Sequence, residues 1–420
     1  MDADFIKDLS RIIEIDSIST HEDFPDNAKC SLCLEEMLNI CESYGFKSNN
    51  IDGVVGYVDW GPDSEDYVAC LSHLDVVPPK DGWNTDPFKL TEVGDKFFAR
   101  GVLDDKGPTM CCFYAMKSLR DDGVIPKKKF RMIFGTNEEC GSHEIEHYLA
   151  HEKAPEFCFT PDSEYPITYA EKGIVNYKIN YKFDHKVQVK GDMNRNRVPE
   201  ELTVIIDGHE FYAKGRGAHA AWPFCGENAL IKVAGIISKS DVDEDVRIYF
   251  SSLYNGFVDN HDGRRIGLDE FDLSKDPSQT FICTPYKLSY KDGIISVNIS
   301  IRYPTFVTET EIENKIFKYF PNTTHEVRRA VPPAFMDVEN ENAQKLLKAY
   351  RDITGDMSKP VSSTGGTYAK HLPNTVAFGA AFQNRSSIQN VVHNANEYMY
   401  KQDLAKNLEI YKAAIYNLVS

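Results

Sequence analysis

The chain contains no uninterrupted apolar run approaching the ~18 residues that a membrane span requires. Its opening Met1-Asp-Ala-Asp-Phe-Ile-Lys lacks the basic start and apolar core of a secretory leader, so a cytoplasmic protein that stays off membranes is expected. Positive charge is also scarce. Against 64 acidic residues there are 47 basic ones, a formal net charge of −17, which repels phosphate backbones and anionic lipid and argues against nucleic acid as a partner. Neither GxxxxGKS/T nor a complete GxGxxG occurs, which removes the usual phosphate cradles. No CxxC pair recurs at zinc-ribbon spacing. Cys30-Ser-Leu-Cys33 stands alone in a helical stretch, Cys111-Cys112 is vicinal, and the ten cysteines read as reduced, mostly buried small residues.

What is present is enough chain for two or three domains: 420 residues exceed what one ordinary core organises. The first half alternates helix and strand. Helical patterns over 5–15, 28–44, 109–119 and 144–150 interleave with strand-like runs at 54–58, 67–71, 130–134 and 157–159, the rhythm of a mostly parallel α/β sheet flanked by helices. After about residue 176 the pattern changes to hairpins, with turns at Asp207-Gly208 and Asp292-Gly293, helices starting near 227 and 309, and a charged irregular stretch over 240–279. From 343 the first rhythm returns. The expected architecture is a catalytic α/β domain over 1–176 and 335–420, interrupted by an inserted α+β lid over 177–334.

Four strand ends carry acids or histidine. His73 and Asp75 end the run at 67–71, Asp104-Asp105 follow the strand-like 96–99, Glu138-Glu139 follow 130–134, and Asp162 follows 157–159. Open α/β sheets bind ligands at the carboxyl ends of their strands. Carboxylates gathered there repel one another unless a cation neutralises them, and an oxygen and nitrogen donor set suits zinc or manganese. Asp75, two residues after His73, is a candidate partner for that imidazole.

In order along the chain, SHLDVVP at 72–78, GVLDDKGP at 101–108, TNEECGS at 136–142, Pro161-Asp162 and HNANEY at 393–398 resemble the motifs of the M20 metallopeptidases. The similarity is greatest to the bacterial dipeptidase subgroup, carnosinase-like and Xaa-His dipeptidases, and the fold implied is that of a zinc-exopeptidase-like catalytic domain. The resemblance implies two divalent ions, zinc foremost with manganese or cobalt open. Asp104 would bridge them, His73 and Asp162 would hold one, and Glu139 and His393 the other. Glu138 would be the general base, Asp75 would orient His73, and Asp105 would support the backbone around Asp104.

The same resemblance gives the insert its roles. His219, in Gly215-Arg-Gly-Ala-His219-Ala-Ala221, would stabilise the oxyanion. Asn196 would contact substrate, although the Gly-Gly that usually opens its segment is Lys190-Gly191-Asp192 here. Arg302 would grip a free carboxylate together with the loop Thr364, Gly365, Gly366 and Thr367. The expected activity is hydrolysis of a dipeptide with a free carboxylate by a monomer or homodimer. An N-acyl amino acid deacylase or desuccinylase would share the centre. A non-catalytic metal-binding or interaction protein is the reading from another class, and the intact Glu138 speaks against it.

One competing motif is present. His143-Glu144-Ile-Glu-His147 matches HExxH, in which two histidines one helical turn apart hold zinc. With His151 these histidines form one stripe opposite Ile145, Tyr148 and Leu149, which equally describes the outer face of a helix packed on a sheet.

Overall fold

A computed structural model describes residues 2–20, 24–194, 197–273, 276, 279–383 and 391–420. It divides into two compact units, one comprising Met1–Tyr169, Phe335–Val361 and Gly366–Ser420, the other Ala170–Ala334 and Ser362–Gly365.

The first unit is built on a mixed sheet. Its centre is parallel: Lys129–Gly135, Tyr67–His73, Phe157–Thr160 and Thr375–Ala377 lie side by side in that order. Antiparallel strands flank this centre, Val55–Trp60 and Ser48–Ile51 on one edge and Thr168–Glu171 on the other. Strand Tyr67–His73 is buried along its whole length, as a central parallel strand must be. Its alternate residues serve different layers. Val68 and Cys70 join the large core under the helices Ala3–Ile13, Ala28–Ser43, Lys106–Asp121, Glu341–Thr354 and Lys401–Val419, whereas Tyr67, Ala69 and Leu71 join a smaller core with Ile145, Tyr148, Tyr368 and Leu372. His73 continues the second series.

Local sequence sets the helix starts. Asn27 accepts from the amides of Lys29 and Cys30, and Asn340 from those of Asn342 and Ala343. Among the described residues no helix is long and apolar enough to cross a membrane.

The second unit pairs a four-stranded antiparallel sheet, ordered Ile282–Lys291, Ile294–Tyr303, Gly173–Lys182 and Thr324–Val331, with the three strands Val187–Lys190, Glu201–Ile206 and His209–Lys214. Helices Ala229–Ile237, Glu244–Phe257 and Glu309–Tyr319 complete it. The second of these lies inside the stretch expected to be irregular. Val246, Tyr249, Phe250, Leu253 and Phe257 recur at helical spacing and are buried, so the burial of this stripe outweighs the charge of the flanking sequence.

Candidate metal centre

His73 ends the central strand directly opposite Gly135 of its parallel neighbour. Glu138 and Glu139 lie in a single 3-10 turn just past that neighbour's end, and Asp162 follows the next strand. Asp104 arrives differently from expectation. The strand before it, Lys96–Phe98, belongs to a separate small sheet with Thr91–Val93 and Tyr398–Tyr400, so Asp104 reaches the site on a loop rather than from the end of a central strand.

That loop is braced by Glu397. One carboxylate oxygen accepts the amides of Leu103 (2.9 Å) and Asp104 (3.2 Å), and the other accepts Arg100 Nη1 at 2.6 Å, with both partners of this ion pair buried. The peptide between Asp104 and Asp105 is cis. Asp105 Oδ2 accepts the His73 amide at 3.2 Å.

The structure brings the five expected ligands together. Asp104 lies between two imidazoles, with Oδ1 3.0 Å from His73 Nε2 and Oδ2 3.0 Å from His393 Nε2. Asp162 Oδ2 is 3.8 Å from His73 Nε2, and Glu139 Oε1 is 2.9 Å from His393 Nε2. Two groups of three donors therefore share Asp104: His73, Asp104 and Asp162, and Asp104, Glu139 and His393, the ligand atoms of each group lying within 4.8 Å of one another. His73 is fully buried, Asp104 and Glu139 nearly so, and His393 is half-exposed.

Burial opposes ionisation of the acids around Asp104. Burial and the charge on Asp104 raise the pKa of Asp162 well above the ordinary carboxylate value. Burial does the same for Glu138, reinforced by Glu139, Asp75 and Asp104 and opposed by His73. Asp104 goes the other way: burial would raise it, but hydrogen bonds from His393 and His73 hold it below its usual value. Acids crowded around two imidazoles, with oxygen and nitrogen donors only, fit a pair of divalent cations, whose charge would stabilise the ionised carboxylates.

Asp75 stands behind the site. His73 Nδ1 lies 2.9 Å from the Asp75 backbone carbonyl and 3.5 Å from its carboxylate. The carboxylate mainly holds the loop: it accepts the amides of Glu138 (3.1 Å) and Glu139 (3.2 Å) and the hydroxyl of Ser19 at 2.6 Å. Ser19 lies in none of the quoted motifs, and Glu397, although inside HNANEY, is assigned no role by the resemblance, because each acts on a distant segment of chain.

The second unit holds the remaining expected residues. His219 is exposed, its Nδ1 accepting the Ala221 amide at 3.2 Å and its ring against Trp222. Asn196 lies outside the described residues. Arg302 is buried and donates through Nη1 to the Thr364 carbonyl, while its buried Nε has no hydrogen-bond partner. Burial and Arg329 lower the Arg302 pKa to about 10; burial and Arg302 lower that of Lys172 to about 8. The Gly365 amide donates to Ser363 Oγ, and Thr367, in the first unit, caps the turn Tyr368–Lys370 through the Ala369 amide.

The HExxH histidines face away from any such centre. His143 and His147 pack on Phe24, and His151 bonds the His147 carbonyl. Glu144 and Ile145 are the buried residues of the motif.

Comparison with known proteins gives the family. The profile of peptidase family M20/M25/M40 matches residues 69–417. The chain belongs to the M20 peptidase family. A protein of Staphylococcus haemolyticus named "Putative dipeptidase" is 30% identical over 98% of this chain and 96% of its own length. Among solved structures, human carnosine dipeptidase 1 (TM-score 0.63, 15% identity, 99% of this chain and 96% of that one) shares the fold of this M20 peptidase. So does an M20 family metallo-carboxypeptidase from Sulfolobus solfataricus (TM-score 0.63, 17% identity, 100% and 99%). The protein is therefore a metallopeptidase, an amide hydrolase acting on peptides.

Proposed function

We propose that this M20 peptidase is a dinuclear dipeptidase that cleaves the amide bond of small peptides bearing a free carboxylate. The observation that carries the reading is Asp104, with one imidazole on each oxygen and a further carboxylate beside each imidazole. His73 and Asp162 would hold one divalent cation, Glu139 and His393 the other, and Asp104 both. Zinc suits this mixed set best. When bound, such ions supply Lewis acidity and lower the pKa of water at the site.

The chain's own residues do the rest. Glu138 lies beside the two ligand sets without belonging to either. It accepts a proton from the attacking water as the oxygen–carbon bond forms, then delivers it to the leaving nitrogen as the carbon–nitrogen bond breaks. Asp75 keeps the amides of Glu138 and Glu139 in place. His219 is assigned to the developing oxyanion, and Arg302 with the 364–367 loop to the substrate carboxylate, a task matched to a planar bidentate donor. The name of the staphylococcal relative supports a dipeptidase over the deacylase alternative. The ten free cysteines fit a reducing cytoplasm.

Zinc-loaded protein should hydrolyse a panel of dipeptides and leave N-acetyl and N-succinyl amino acids intact. Activity confined to the acylated compounds would end the dipeptidase reading.

A further inference from the structure

Glu144 belongs to a motif that metal binding does not use, yet it is the first residue of helix Glu144–His151 and fully buried. Its Oε1 accepts the backbone amide of Asn137 at 3.0 Å and the hydroxyl of Tyr368. Asn137 is itself buried and immediately precedes Glu138. It anchors the turn further, its carbonyl accepting the amides of Cys140 and Ser142 and its side chain that of His143. The ring of Tyr368, also fully buried, meets the His73 imidazole edge-on with centroids 6.3 Å apart.

Gly135 provides an independent sign that this pair must sit where it does. A methyl group at Gly135 would lie 1.9 Å from the Tyr368 hydroxyl oxygen and 2.5 Å from Glu144 Oε1. Only glycine lets these two side chains close against the strand end opposite His73. The turn carrying Glu138 is thus gripped twice, by Asp75 at the amides of 138 and 139 and by Glu144 at the amide of 137.

We propose that Glu144 and Tyr368 form a buried pair of positioning residues that fixes the Asn137–Glu138 backbone, and with it the Glu138 carboxylate, for proton transfer. This rests on the reading that Glu138 carries the proton. Neither residue touches substrate. Burial lifts the Glu144 pKa to about 7, with Asp75 adding to the shift, so an uncharged amide of the same shape is an acceptable replacement. A misplaced catalytic group costs turnover more than substrate binding.

The test uses the full-length, zinc-loaded protein and a cleaved dipeptide. Glu144→Ala should lower kcat about 30-fold and Tyr368→Phe about fivefold, with KM within threefold and bound zinc unchanged. Glu144→Gln, which keeps the acceptor oxygen, should return kcat to within about threefold of the parent. Hydrogen exchange at the Asn137 amide, read by NMR, should quicken in Glu144→Ala and stay slow in Glu144→Gln. Turnover within twofold of the parent in Glu144→Ala, failure of Glu144→Gln to restore it, or unchanged exchange at Asn137 would each overturn the proposal. If Glu144→Ala does not fold, Tyr368→Phe decides, and parental turnover there refutes it. Glu138→Ala separates the two readings. An active Glu138→Ala removes the assigned base, whereas an inactive Glu138→Ala beside a fully active Glu144→Ala removes only the positioning pair.

Discussion

Each unit of the molecule buries a group of like charges, and the two groups have opposite sign. In the first unit Asp104, Glu138, Glu139 and Asp162 surround two histidines. In the second, the buried Arg302 and Lys172 lie with the half-buried Arg329, Arg302 pairing in register with Ile174 and Arg329 with Asn176 of the shared strand. Burying charge without a counterpart costs several kcal/mol per group. A fold keeps such a group when something of opposite sign arrives to offset it. On the proposed function the acidic group would take cations, and Arg302 the carboxylate of the substrate.

The largest effect should come from removing the shared acid. Asp104→Ala is expected to lose bound metal, measured by elemental analysis, and more than about 10³-fold in kcat/KM, since one change removes a donor from both sets. Retention of two tightly bound ions would place the centre elsewhere. On the basic side, Arg302→Met should raise KM about 100-fold for dipeptides with kcat little altered. The same substitution should leave C-terminally amidated peptides unaffected, and an equal loss on both would break the pairing of Arg302 with a carboxylate.

A smaller effect follows from Lys172. Its folded-state pKa of about 8 lies below the ordinary 10.5. Between those values the unfolded chain keeps a proton that the folded chain has shed, so this lysine makes stability rise with pH. The parent should gain about 2 kcal/mol relative to Lys172→Met between pH 7 and pH 10 in denaturant titrations. A difference that does not change with pH would show that the basic group carries no such penalty. Least of all should follow from His147→Ala: metal content and turnover within twofold of the parent, because this histidine packs on Phe24 away from the donor groups.

Much of this was legible in the sequence because each candidate ligand stands beside a strand end or inside a short distinctive motif. His73-Leu-Asp75 closes an apolar run, Glu138-Glu139 closes another, and hydrophobic period locates both. What escapes that reading is whatever depends on contact between distant segments. HNANEY includes Glu397 but does not show that it braces Asp104, because its partner Arg100 lies 297 residues away. Glu144 was visible only as part of a zincin-like motif. Its inward direction follows from packing against Tyr368, 224 residues later. Helix Glu244–Phe257 was legible in principle from its apolar stripe and was masked by the surrounding charge.

The Arg100–Glu397 bond also bears on how the protein is made. While the chain is still emerging from the ribosome, His73, Asp104, Glu139 and Asp162 are all present long before His393 and Glu397. Until residue 397 has been added, the loop bearing Asp104 lacks the carboxylate that accepts its two amides and the counter-charge for Arg100. A nascent chain therefore offers incoming metal an incomplete and unbraced set of donors. On the proposed function, a chain stalled before this point would lack the His393 donor and would hold Asp104 on an unbraced loop.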